Sequence, residues 1–152
     1  MKKTSILIAA CLVVGCARGQ IDIIDADENI VGQCSANFYG HWYGAQDSVD
    51  YILHICAKEQ VAKGFRISDE SILDNDYTLP TPPQGAAWNK RTAKQEFNGG
   101  NISEKQYGYV LAAIEYEFWL AKGRAEKQLE AGVIDEEEYE RELSKAEDKF
   151  EG

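Results

Sequence analysis

One stretch of this chain is written twice, 32 positions apart. FNGGNISEKQYGYVLAAIEYEF (Phe97–Phe118) lines up without a gap on LEAGVIDEEEYERELSKAEDKF (Leu129–Phe150). Gly100 matches Gly132, Ile102 matches Ile134, Ser103 matches Asp135, Tyr107 matches Tyr139, and Phe118 matches Phe150. Each copy reads as a helix start. Ser103 takes the N-cap position, where its hydroxyl accepts from the amide of Gln106 and the Gln106 side chain reaches back. Ile102 and Tyr107 then form the hydrophobic staple across the cap. In the second copy Asp135 caps, Glu138 closes the box, and Ile134 pairs with Tyr139. Gly99-Gly100 and Gly132 supply the chain reversals upstream. A looser third copy, Ile67-Ser68-Asp69-Glu70-Ser71-Ile72, follows Gly64.

Helical spacing continues beyond both caps. Tyr107, Leu111, Ile114, Phe118, Ala121, Ala125 and Leu129 recur in steps of three and four, as do Tyr139, Leu143, Ala146 and Phe150. That rhythm belongs to helices packed along a seam. Gly108 and Gly123 interrupt the first of these helices. Each lowers helix stability by about 1 kcal/mol against alanine, so the pattern points to a kink or a close helix contact there.

The run Leu129-Glu130-Ala131-Gly132-Val133-Ile134-Asp135-Glu136-Glu137-Glu138-Tyr139, followed by Leu143, resembles the short helical-hairpin motif known as SHOCT. The resemblance covers roughly twenty residues. It implies a small interaction or oligomerisation appendage without catalytic residues.

Met1–Gly19 reads as a targeting segment. Lys2 and Lys3 precede an apolar run, Ser5–Gly15, too short for a permanent membrane span. Val13-Val14-Gly15-Cys16 resembles the bacterial lipobox, which implies lipidation of Cys16 as first residue of the mature chain. Residue 17 is Ala rather than Asp, which resembles lipoproteins released to the outer membrane. Ala17-Arg18-Gly19 is the competing exit, a small-x-small site that yields a chain starting at Gln20. Export decides how the remaining cysteines are read. Cys34 and Cys56 are an even pair in an oxidising compartment, which predicts a disulfide.

Charge narrows the partners. Removing Lys2 and Lys3 leaves 14 basic residues against 26 acidic, a formal net of −12. Phosphate-driven binding to nucleic acid is disfavoured, as is polybasic attachment to anionic lipid. Asp22, Asp25, Asp27 and Glu28 lie in Ile21–Val31, a tether or short strand, without the spacing of an EF-hand loop. His41 and His54 have no partner at metal-ligand spacing, and no nucleophile, phosphate-loop or dinucleotide motif occurs. No cofactor, metal or catalytic residue is therefore expected.

The remaining segments give a mainly α architecture. Residues 20–73 form a disulfide-tied helical subdomain. In it Phe38, Tyr39, Trp42 and Tyr43 crowd a loop between glycines, either a small core or an exposed aromatic platform for binding. A helix capped by Asp47 or Ser48 and ended by Gly64 carries Tyr51, Ile52, Ile55, Cys56, Ala57 and Val61 on one face. Residues 74–85, with Pro80, Pro82 and Pro83, read as an extended linker. Residues 86–152 form three antiparallel helices, the first over Ala86–Phe97.

Two functional readings follow. The first is an envelope lipoprotein, held by lipid on Cys16 at the outer membrane facing the periplasm, that binds another envelope protein or itself. The second is an acidic inhibitor or exclusion factor, anchored or free in the periplasm or medium, that engages a basic secreted or entry protein through its aromatic loop.

Overall fold

The computed structural model describes residues 17–39, 43–85 and 87–152. The lipobox residues Val13–Cys16, with Cys16 itself, lie outside the described residues, as do His41, Trp42 and Ala86.

The chain is mainly helical, with a three-stranded antiparallel sheet at its N-terminal end. Strand β1 (Ala17–Ile24) pairs with β2 (Ile30–Phe38) from Ala17↔Phe38 to Ile23↔Gly32, with a register shift between Ile23 and Ile24. A two-residue strand, β3 (Arg66–Ile67), joins the other edge of β1. Helix α1 (Ala45–Ala62) lies between β2 and β3 in sequence and packs on the sheet. The Cys34–Cys56 disulfide ties β2 to α1, as the cysteine count predicts.

The hairpin differs from the sequence reading at Cys34–Phe38, which belongs to a strand rather than to a loop; Ala17–Gly19 forms the first part of β1. The reason is alternation. Cys34, Ala36 and Phe38 point inward between outward Gln33, Ser35 and Asn37, a period-two pattern muted by the small size of Cys and Ala. The turn between the strands explains the acidic cluster. The Asp25 carboxylate accepts from the amides of Asp27 and Asn29, both at 2.9 Å, and these bonds hold its pKa below the ordinary carboxylate range.

Helix α1 starts at Gly44, not at Asp47 or Ser48. Gly44 adopts φ 66°, and no side chain caps the helix. Ser48 is fully buried, and its hydroxyl donates within 3.0 Å of the Gly44 carbonyl and 2.8 Å of the Gly108 carbonyl. Its apolar face is also rotated from the expected one. Val49, Leu53 and Ala57 are buried, whereas Val61 is exposed.

The C-terminal half carries the repeat. Helix α2 (Lys90–Asn98) is capped by Asn89 and leads to α3 (Glu104–Glu130) and α4 (Glu136–Glu151). The expected start at Ala86 is late by four residues because Asn89 is the first side chain able to cap, accepting from the amide of Thr92 at 2.8 Å. The two reversals are equivalent. Gly100 (φ 73°) and Gly132 (φ 67°) are followed by Asn101 N–H→Glu96 O and Val133 N–H→Gln128 O, again 32 residues apart. Ser103 and Gln106 form the full capping box. Asp135 accepts from the Glu138 amide at 2.8 Å, but the Glu138 carboxylate pairs with Arg141 one turn on and does not close the second box. The third copy is reduced to one 3₁₀ turn, Glu70–Leu73, capped by Asp69, because the Ser68 hydroxyl accepts instead from the Asp22 amide on β1.

Residues 74–85 do not run free as a spacer. Tyr77 is buried with its ring 6.4 Å from that of Tyr51 and 5.0 Å from that of Tyr109. Leu79 touches both apolar clusters of the molecule. One cluster lies between sheet and α1 and takes Tyr109 and Ala112 from α3; the other lies between α2 and α3 around Ala93, Val110, Leu111 and Ile114.

Candidate functional site

The aromatic loop does not assemble into a single platform. Phe38 is buried under the sheet, while Tyr39 is 69 % exposed and Tyr43 57 % exposed. Tyr43 leans on Phe97 with ring centres 5.3 Å apart, and Phe97 stacks on Tyr107 at 4.6 Å. Trp42 lies outside the described residues. Tyr39 alone of the described aromatics in this loop offers a free outward ring.

His54 serves the core. Its Nδ1 lies 2.9 Å from the Ile72 carbonyl, and its ring sits 4.3 Å from that of Tyr77. Beside it Tyr51, Tyr77 and Tyr109 cluster, and burial pushes all three phenols above their ordinary pKa. Among the described residues, no three His, Cys, Asp or Glu side chains converge to hold a metal ion, and no helix is long and apolar enough to cross a membrane.

The feature that sequence reasoning missed is an apolar cleft of about 470 Å³ along α3. Its floor is one face of that helix, including Ala113, Phe118, Ala121 and Arg124. One wall comes from the proline-rich segment and the residues after it, Leu79, Ala87 and Trp88; the other from the end of α4, Ala146, Lys149 and Phe150. Several local causes hold it open. The Trp88 indole donates to the Pro80 carbonyl at 2.9 Å, which fixes the first wall. α4 runs back along α3 after the Gly132 reversal, so the repeat-equivalent rings Phe118 and Phe150 stack at 4.9 Å. Lys90 then closes the end of α4, with its ammonium 2.9 Å from Glu151 and 4.0 Å above the Phe150 ring.

Its polar groups are few. Lys149 pairs with Glu117 at 2.7 Å across the α3–α4 seam. Arg124 is exposed at the far end of the lining and makes no hydrogen bond or ion pair with any described residue. Among the lining residues no nucleophile is paired with a base. The a/d rhythm puts Phe118 and Ala121 on the seam; α4 meets that seam through Phe150 yet has no fully buried residue of its own.

No family model matches the chain, and no curated protein or solved structure gives a significant match.

Proposed function

We propose that this protein is a bacterial envelope lipoprotein, held by lipid on Cys16, that acts as a binding module and performs no catalysis. The open apolar cleft on α3 carries the reading. A preformed, mostly apolar recess of this size with a few polar groups at its margin is the usual form of a ligand or partner site.

The start of the sheet supports the lipid anchor over cleavage after Gly19. Ala17, Arg18 and Gly19 pair with Phe38, Asn37 and Ala36. Gly19 also lies tight against α1; a Cβ there would sit 2.6 Å from Val49 Cγ1 and 2.8 Å from Leu53 Cδ1. A chain starting at Gln20 loses these pairings. On this reading there is no flexible tether, and the Ala17–Phe38 end of the hairpin sits at the bilayer. Tyr39, exposed at that same end, is then at the lipid–water boundary, where tyrosine rings are favoured. The compartment that follows is the periplasmic face of the outer membrane, and the partners are another envelope protein or a second copy.

Intact mass of protein recovered from bacterial membranes tests the anchor. A chain starting at Cys16 with added acyl mass is expected; an unmodified chain starting at Gln20 overturns it. Cross-linking in intact cells tests the module: a captured partner should be lost when Ala121→Trp fills the cleft, and a capture that survives this change refutes the cleft as the binding site.

The exposed ring of Tyr39 favours the second reading, an acidic inhibitor. It predicts salt-sensitive binding to a basic protein, weakened by Tyr39→Ala; affinity indifferent to both salt and this substitution removes it.

A further inference from the structure

We infer that the α3 cleft takes a single-chain amphiphile with an anionic head, its hydrocarbon lying between Trp88, Phe118 and Phe150 and its head at Arg124. The inference rests on the binding-module reading and names the ligand class of that site. Four observations carry it.

The first is shape. The α3 residues of the lining run from Ala113 to Arg124, always on the same face. At 1.5 Å per residue that is a slot about 16 Å long rather than a bowl. The second is polarity along the slot. Ile114, Leu79 and Trp88 belong to the apolar cluster at one end, the stacked Phe118 and Phe150 lie midway, and Arg124 stands at the other end.

The third is that the polar side chains along its walls already have partners. The floor is helix, whose backbone groups bond one another. The Trp88 indole is already bonded to Pro80, and Lys149 is engaged by Glu117. An occupant lying against Phe118, Ala121 and Phe150 meets mostly apolar surface, which favours hydrocarbon over a polar group that would give up its hydrogen bonds to water. The fourth is charge. In a chain of formal net charge −10, the one cation of the lining without a partner among the described residues is Arg124. A guanidinium presents paired donors to carboxylate and to phosphate alike. An isolated aromatic side chain of a partner would fill the region of Phe118 and leave the stretch toward Arg124 uncovered. A hydrocarbon chain with a terminal anion spans both.

A free fatty acid and a monoacyl phospholipid share this chemistry, and calorimetric titration separates them. The probes are laurate and lauroyl-lysophosphatidylglycerol, with dodecyl maltoside as neutral control and dodecyltrimethylammonium as cationic control, each below its micelle threshold. Saturable 1:1 binding of at least one anionic probe is expected, with the neutral probe weaker and the cationic probe weakest. Arg124→Gln should weaken the anionic probe about fivefold, the equivalent of an exposed ion pair near the upper end of its range, and leave dodecyl maltoside unchanged. Ala121→Trp should weaken every probe at least tenfold while the circular dichroism spectrum stays native. Binding by neither anionic probe, equal affinity for all heads, or indifference to Ala121→Trp overturns the inference. If the amphiphiles fail while Ala121→Trp still abolishes cross-linking in cells, only the ligand class falls. If both fail, the binding-module reading falls with it.

Discussion

Replacing Gly108 by alanine adds one carbon where the backbone of α3 meets the start of α1. The new Cβ would lie 2.3 Å from the Gly44 carbonyl oxygen, 2.9 Å from Asp47 Cβ and 3.1 Å from the Gly44 carbonyl carbon. Two of these atoms are backbone, so no rotamer change relieves the overlap, and the start of α1 must move away from α3. That movement disturbs the Ser48 hydroxyl, which is fully buried and bonded to both the Gly44 and Gly108 carbonyls. Overpacking of this kind costs about 1–3 kcal/mol, and a weakened buried hydrogen bond about 1–3 kcal/mol more. Alanine returns about 1 kcal/mol of helix propensity. The expected net loss is about 1–5 kcal/mol. The control is on the same helix. A Cβ at Gly123 meets nothing within 4 Å, so Gly123→Ala should stabilise by up to about 1 kcal/mol through propensity alone. Urea unfolding followed by circular dichroism reads both. Two substitutions of the same chemistry, fifteen residues apart in one helix, should move the midpoint in opposite directions. A Gly108→Ala protein as stable as the parent would refute the steric argument.

Three further outcomes are expected. Joining residues 22 apart, the Cys34–Cys56 bridge should contribute about 3 kcal/mol in the chain-entropy picture, so Cys34→Ser with Cys56→Ser should lower the urea midpoint accordingly, and the unfolded, unreduced parent should expose neither of these thiols to a thiol reagent. Burial raises the Glu115 carboxyl above its ordinary pKa, with Lys90 opposing, so the folded state binds the proton more tightly than the unfolded state and this residue's contribution declines as pH rises from the unfolded value through the folded one; Glu115→Gln should therefore raise the melting temperature at pH 7, and the difference should vanish on acidification below about pH 4. Asp135→Ala removes the cap of α4, a helix with no fully buried residue, and should lower protection of its amides from hydrogen exchange by about 1 kcal/mol while the amides of α1 are unchanged; an equal loss in both helices would mean that α4 does not open on its own.

The elements that short-range chemistry controls were legible in the chain. Ser103, Gln106 and Asp135 cap where their side chains can reach an amide three residues on, and Gly100 and Gly132 reverse the chain because the positive φ required there favours glycine. The pairing of Cys34 with Cys56 followed from counting. Tertiary structure decided what local pattern could not. Ala17–Gly19 has the composition of a cleavage site, and only pairing with Ala36–Phe38 makes it a strand. The prolines make residues 74–85 extended, but the rings around Tyr77 and the double contact of Leu79 turn that extended segment into a wall. Gly108 announced a close contact without saying with what; Gly44, 64 residues upstream, is the answer. The cleft belongs wholly to this second kind. Its floor, walls and unpaired arginine come from three separated segments, and a recess exists only where packed elements fail to cover one another, which no single stretch of sequence encodes.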